Sequence, residues 1–253
     1  MKVQIDLKKS IEKNASTYFE KSKKAKLKLE GANKALKIQE KKLSRFVDEE
    51  IEEEIKVKRI KKWYDKYRFF YTSSKKLVVM GRDATTNEIL IKKHTEKDDI
   101  VFHTSIPKSP FSVIKLDEKE LTKEDIEEVG QATATFSQAW KQNIGNVEVF
   151  YVTPEQVSKK AQSGEYLTKG AFMIYGKKHL LKSNLSLAVG LSEDNELLAG
   201  PKTAIKSNCK EFIELAPGRG KPSAIAKKIQ HKIKANLDDI IRVLPAGGFD
   251  LKK

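Results

Sequence analysis

The residues of this chain best suited to metal or nucleophile chemistry are four histidines and one cysteine, and their spacing supports neither. His94, His103, His179 and His231 are scattered, each without a second His or a Cys at ligand spacing. Cys209 has no partner for an internal disulfide, and with Phe212 and Ile213 close behind it reads as a buried or half-buried thiol. No glycine-flanked nucleophile elbow supports a triad. The run Gly218-Arg219-Gly220-Lys221 has the composition of a phosphate-cradling loop. Pro222, however, stands where a Ser or Thr would hold magnesium, and no strand, loop and helix are spaced to match. We read it as a surface connection rather than a basic loop on phosphates. The expectation is a protein without catalytic residues, bound metal or cofactor, and so not an enzyme.

What remains is the chemistry of binding. Lysine and arginine number 50 against 35 aspartates and glutamates, a net charge of +15. Such an excess attracts polyanions through the long-range field and through counterion release. Adaptation to heat also enriches lysine, but it raises glutamate alongside, and here the excess is one-sided. Nucleic acid is the expected partner, an anionic membrane surface the second choice. Three segments concentrate the relevant side chains. Residues 63–70 interleave Trp63, Tyr64, Tyr67, Phe69 and Phe70 with Lys66 and Arg68. Aromatics can stack bases while cations hold phosphates, but an apolar joint between two parts of the chain has the same composition, and the joint is the favoured reading. Residues 81–88 form a polar turn in which Arg82 is a candidate phosphate donor, oriented by Asp83 and Asn87; a surface ion pair is the alternative. Residues 153–178 carry Lys159, Lys160, Lys169, Lys177 and Lys178 around glycine turns, opposed only by Glu155 and Glu165. With Lys92 and His103, these complete the candidate RNA-contacting set.

These residues need elements to hold them. From Ile11 a four-three repeat runs through Ala15, Tyr18, Ser22, Ala25, Leu29, Ala32 and Leu36, the stripe of a coiled-coil helix. The register fails after Leu36. Phe46-Val47 reads as a bend, with Asp48 capping a return helix through Ile51, Ile55, Ile60, Trp63, Tyr64 and Tyr67. An antiparallel helical hairpin is therefore expected, with an intermolecular coil as its competitor. Beyond Phe69 the period changes to that of strands. These are expected at residues 77–80, 89–91, 100–103, 111–114, 147–152, 172–175, 187–189, 212–215 and 240–244, with Ile205 strand-like as well. Helices are expected from Thr122 through Trp140, from Pro154 through Lys160, and over residues 223–236. Strands cluster with few helices between them, so the fold class is α+β, a mixed α/β domain with a largely antiparallel sheet. No apolar run approaches the ~20 residues of a membrane span, and residues 1–10 lack the apolar core of a signal peptide. A cytoplasmic location is expected.

Several of these motifs, in order, resemble the NFACT family of ribosome-associated quality control factors. Residues 62–70, Lys-Trp-Tyr-Asp-Lys-Tyr-Arg-Phe-Phe, are similar to the start of that family's carboxy-terminal NFACT-R domain. So are Gly81-Arg82-Asp83-Ala84 with Asn87-Glu88, and residues 154–159 running into Ser163-Gly164-Glu165-Tyr166-Leu167, Gly170-Ala171-Phe172-Met173-Ile174 and Gly176-Lys177-Lys178. The resemblance covers about residues 62–182, and Asn14-Ala15, Tyr18 and residues 28–32 resemble the family's coiled coil. It implies a coiled-coil arm (1–68), an NFACT-R-like domain (69–182) and a basic extension (183–253) packed on or following it. It also implies binding to the large ribosomal subunit, its rRNA and tRNA, around stalled nascent chains, with a possible protein partner on the arm. Two departures stand out. The family's amino-terminal domain and helix-hairpin-helix have no counterpart, which implies a fragment or a short stand-alone version. The family's second histidine and glycine after His103 are replaced by Pro107 and Lys108, so no paired-histidine role is carried over. A coiled-coil protein-interaction adaptor and an accessory protein in RNA modification are the alternatives.

Overall fold

A computed structural model describes residues 4–54 (side chains to residue 40), 62–160 and 167–252. The chain divides into two units, residues 1–56 and 57–253. The first is dominated by one 44-residue helix, α1 (Ile11–Glu54). Asn14 fastens its start by accepting from the Asp6 amide at 2.9 Å and donating to the carbonyls of Asp6 and Ser10. The Tyr18 hydroxyl donates to the Gln4 carbonyl. The bend expected at Phe46–Val47 is absent. No Pro or Gly lies between Leu36 and Glu54, so the loss of apolar register leaves the backbone hydrogen bonding uninterrupted. Ile55 and Ile60 of the expected return helix lie outside the described residues. Its later part is instead a 3-10 turn, Trp63–Lys66, closed by Asp65 accepting from the Lys62 amide at 2.8 Å. No helical hairpin is found among the described residues. The apolar stripe of α1 faces solvent, with Ile11 86%, Leu29 63% and Leu36 60% exposed.

The second unit begins with β1 (Arg68–Tyr71) and β2 (Leu77–Met80), paired antiparallel with Phe69 opposite Val79. Then come α2 (Ala84–Lys93), β3 (Ile100–Thr104) and β4 (Ser112–Ile114). The strand expected at residues 89–91 is part of α2, whose amino terminus Asp83 caps by accepting from the Thr86 amide at 2.8 Å. Next follow α3 (Lys123–Thr135), α4 (Gln138–Gln142) and β5 (Asn146–Val152). The long helix expected to reach Trp140 breaks at Phe136. There Ser137 donates to the Ala134 carbonyl at 2.6 Å and caps α4 through the Ala139 amide. A short hairpin of β6 (Val157–Ser158) and β7 (Met173–Ile174) stands where a helix through Lys160 was expected, since residues 154–156 make only one 3-10 turn. With β8 (His179–Asn184) the main sheet is complete, in order β1-β2-β4-β3-β5-β8, every pair antiparallel.

α3 lies on this sheet, and two features let it. Gly130 allows close approach, since a Cβ there would sit 2.6 Å from the Leu181 side chain of β8. The turn between β1 and β2 is tied to the helix by buried polar groups: Lys76 pairs with Asp125 at 2.6 Å, and Ser73 bonds Glu128. Burial works against the Asp125 charge, but hydrogen bonds from Lys76 and Ser74 outweigh it and hold the carboxyl well below the usual range.

The remainder adds β9 (Leu187–Ser192), β10 (Leu197–Gly200), α5 (Lys202–Asn208), β11 (Cys209–Gly220), α6 (Pro222–Ile233), α7 (Leu237–Val243) and β12 (Phe249–Leu251). Its sheet runs β10-β9-β11-β12, again antiparallel. Ile205 is helical, in α5. The loop expected around Pro217 is drawn into β11 by a bulge opposite Phe249. Residues 240–243, expected as strand, belong to α7, which Asn236 caps through the Asp238 amide at 2.9 Å. Both sheets share one apolar core that includes Phe70, Phe102, Trp140 and Phe249. The boundary expected at 182/183 falls inside β8.

Candidate nucleic-acid interface

The polar turn after β2 is built inward. Asn87 in α2 is buried, and its Oδ1 accepts from the Phe111 amide at 3.0 Å, joining α2 to the approach of β4. Thr86 Oγ1 accepts from the amides of Arg82 and Asp83, closing the turn. The Arg82 guanidinium reaches across the unit and donates to the Arg242 carbonyl at 2.8 Å, while Arg68 reaches the Leu244 carbonyl at 3.5 Å. Both cations thus sit on the carboxy-terminal end of α7, where the unpaired carbonyls and helix dipole favour positive charge. Burial, reinforced by Arg82, brings the Arg68 pKa down to about 10.

Glu88 is the hub on the next face of α2. Its carboxylate takes Lys92 Nζ at 2.7 Å, the Gly170 amide at 3.1 Å and Lys159 Nζ at 3.6 Å. The Lys92 hydrogen bond, then that of Gly170, holds its pKa down to about 2. Gly170 has φ +77°, and any Cβ there would lie 2.6 Å from the Ala84 backbone, so the position is reserved for glycine on two counts. Lys159 also donates to the carbonyls of Thr168 and Ala171 at 2.8 and 2.9 Å and lies over the Phe172 ring. One ammonium therefore clamps both sides of the β6–β7 hairpin to α2.

Behind the clamp runs an aromatic row. Phe172 meets Phe111 edge-on, and His103 stacks on Phe111 with centroids 4.2 Å apart. His103 is largely buried, and that burial lowers its pKa to about 4, only partly offset by hydrogen bonds to the backbone of Ser109 and Thr104. The imidazole is neutral at physiological pH. At the far end of the hairpin, Gln156 Nε2 donates to the carbonyls of Tyr175 and Lys177 at 2.7 and 3.0 Å, holding the Gly176 turn.

The ten residues singled out from sequence therefore separate into two groups. Arg82, Asp83, Asn87, Lys92, His103 and Lys159 all engage other parts of the protein as described. Lys160, Lys169, Lys177 and Lys178 are exposed, and none meets a carboxylate among the described residues. All four border the β6–β7 hairpin, Lys178 with its ammonium over the Phe150 ring. Glu88 was quoted from sequence only as part of a motif, yet it holds the arrangement together; its i, i+4 spacing to Lys92 was the available signal. The interface is thus the paired strands β6 and β7, pinned from behind, with four lysines at their edges that meet no carboxylate among the described residues.

Arg82 through Gly176, which carry two of the four rim lysines and the groups that support them, lie inside a match to the NFACT protein RNA binding domain over residues 66–176; Lys177 and Lys178 follow directly after it. The class of protein is accordingly an RNA-binding domain of the NFACT type. The chain belongs to the NFACT family. It is 39% identical over 205 residues to the archaeal Rqc2 homolog aRqcH of Methanocaldococcus jannaschii, covering 78% of this chain and 30% of that protein. Against the ribosome quality control complex subunit NEMF homolog of Drosophila melanogaster it is 34% identical over 197 residues, 75% of this chain and 20% of the relative. Against NEMF of Homo sapiens it is 33% identical over 175 residues, 66% of this chain and 16% of the relative. The chain thus spans less than a third of the length of these relatives. Among the described residues no helix is long and apolar enough to cross a membrane.

Proposed function

We propose that this chain is a non-enzymatic, cytoplasmic RNA-binding module of ribosome-associated quality control. It engages the large ribosomal subunit that carries a stalled nascent chain, through rRNA and tRNA backbone. The observation that carries this reading is the rim of four exposed lysines, none meeting a carboxylate among the described residues, on a hairpin whose orientation Glu88, Lys159 and Gln156 lock. Lysines spaced along an ordered edge read phosphate position rather than base identity. The relatives' roles in ribosome quality control name the ribosome as the source of that RNA. The exposed apolar stripe of α1 supports a second contact, in which the arm meets a partner protein while the domain holds RNA.

Co-sedimentation with purified large subunits across a salt series tests this. The chain pellets with subunits at low salt and is released steeply as salt rises, about one logarithmic unit of slope for each phosphate contact. Absence of pelleting at low salt, or pelleting indifferent to salt, contradicts the RNA reading and favours the adaptor.

A further inference from the structure

Trp63 is an aromatic that neither the core nor the lysine rim uses. It is 42% exposed, whereas its neighbours Tyr64 and Tyr67 are 7% and 3% exposed. An apolar joint, the role the composition suggested, would bury it as it buries them. The indole is nevertheless fixed in place. It lies flat on the His94 imidazole, centroids 4.4 Å apart and planes 11° from parallel. Tyr64 and Tyr67 abut it at 5.4 and 6.0 Å with their planes at 82° and 72° to its own. His94 covers one face of the indole, and 42% of the residue is still open to solvent.

Cations surround the His94 side of this cluster, Lys66 with its ammonium 5.2 Å over the Tyr67 ring and Lys93 next to His94 in sequence. Lys66, Lys115 and Lys93 all lie near enough to His94 to bear on its charge. Lys115 is committed to Asp99 at 2.6 Å and Glu96 at 3.3 Å. Lys66 and Lys93 are exposed and meet no carboxylate among the described residues. A fixed, part-exposed indole with exposed lysines in the same cluster matches one nucleotide: base on ring, phosphates on the cations. We propose that Trp63 is a stacking platform for one unpaired nucleobase, with Lys66 and Lys93 holding the adjoining phosphates. The proposal rests on the RNA-binding reading and adds that the RNA has a single-stranded position, since paired bases cannot offer a free face.

The full chain is titrated with a short oligoadenylate and, separately, with a blunt RNA duplex, reading tryptophan fluorescence and affinity. Of the two tryptophans Trp140 is 1% exposed, so quenching by added RNA reports Trp63. Oligoadenylate quenches saturably and the duplex does not. Trp63→Ala weakens oligoadenylate roughly ten- to hundred-fold, the worth of one stacked base, and leaves duplex affinity unchanged; Trp63→Phe stays within a few-fold of the parent. Equal oligoadenylate affinity for parent and Trp63→Ala overturns the platform and assigns the face to a protein partner. Loss of both ligands with a lowered unfolding midpoint overturns it in favour of a structural role. Failure of the parent to bind either RNA instead overturns the underlying function.

Discussion

Glu88 and His103 are internal groups whose consequences appear far from any ligand. Glu88 accepts from Lys92 and the Gly170 amide and pairs with Lys159, and its lowered pKa means the folded state binds its proton less readily than the unfolded chain. Its contribution is present at neutral pH and is lost as pH falls from the ordinary carboxylate range towards about 2. Glu88→Gln should free the hairpin from α2, seen as faster amide exchange at Gly170 and across β6–β7, with α3 unaffected. Unchanged exchange at Gly170 would remove Glu88 from its role as hub. His103 acts at milder pH. Its folded pKa is depressed, so the unfolded chain takes up the proton first, and stability declines as pH drops from 6.5 towards about 4. The total over that window is about 2–3 kcal/mol. His103→Phe keeps the ring stack on Phe111 and should flatten this part of the stability–pH curve in chemical denaturation; equal slopes for parent and variant would contradict the burial argument. At this scale two motifs quoted from sequence, Gly-Arg-Asp-Ala and Gly-Ala-Phe-Met, do meet in the fold, at Ala84 and Gly170. Their roles were less legible. Asp83 and Asn87 read as groups that orient Arg82, although an Asp three residues before a Thr is also a cap signal.

β5 was read well, its start alternating Asn146-Val147-Glu148-Val149, whereas two of the short apolar runs misled. Residues 89–91 and 240–243 each look like a strand core in isolation. A cap six or four residues upstream, Asp83 or Asn236, had already committed the backbone to helix. The bend expected at Phe46–Val47 failed for the opposite reason: a change of apolar register was read as a break, though the backbone of α1 had nothing to interrupt it. Two predictions belong here. Arg82→Ala removes the guanidinium from the end of α7 and should cost about 1–2 kcal/mol, with faster exchange in α7. RNA affinity of the folded protein should hold. A loss of affinity at unchanged stability would return Arg82 to the phosphate-binding role first expected of it. Gly170→Ala combines a left-handed backbone with a contact on Ala84, and about 1–3 kcal/mol of destabilisation is expected by thermal unfolding. Full stability in that variant would show that the loop does not sit on α2 as described.

For the whole molecule, the α+β class, the antiparallel sheet and the NFACT relationship were legible in sequence, the last because several motifs recur in order from Trp63 to Lys178. The net +15 spoke only of long-range attraction, since total charge carries no information on which lysines are already paired. Pairing is a tertiary property, and it separates Lys159, bound to Glu88 and two carbonyls, from Lys160 beside it. The central claim is that the hairpin rim is a site and not a share of bulk charge. Reversing Lys160, Lys169, Lys177 and Lys178 to Glu, or instead Lys23, Lys24, Lys26 and Lys28 on α1, lowers the net charge equally, from +15 to +7. Binding of both variants to a short RNA hairpin is then compared over a salt series. The rim variant should lose far more affinity than the arm variant and up to about four units of salt slope, one for each phosphate contact. Equal losses in the two variants would contradict the site and leave only a positively charged surface.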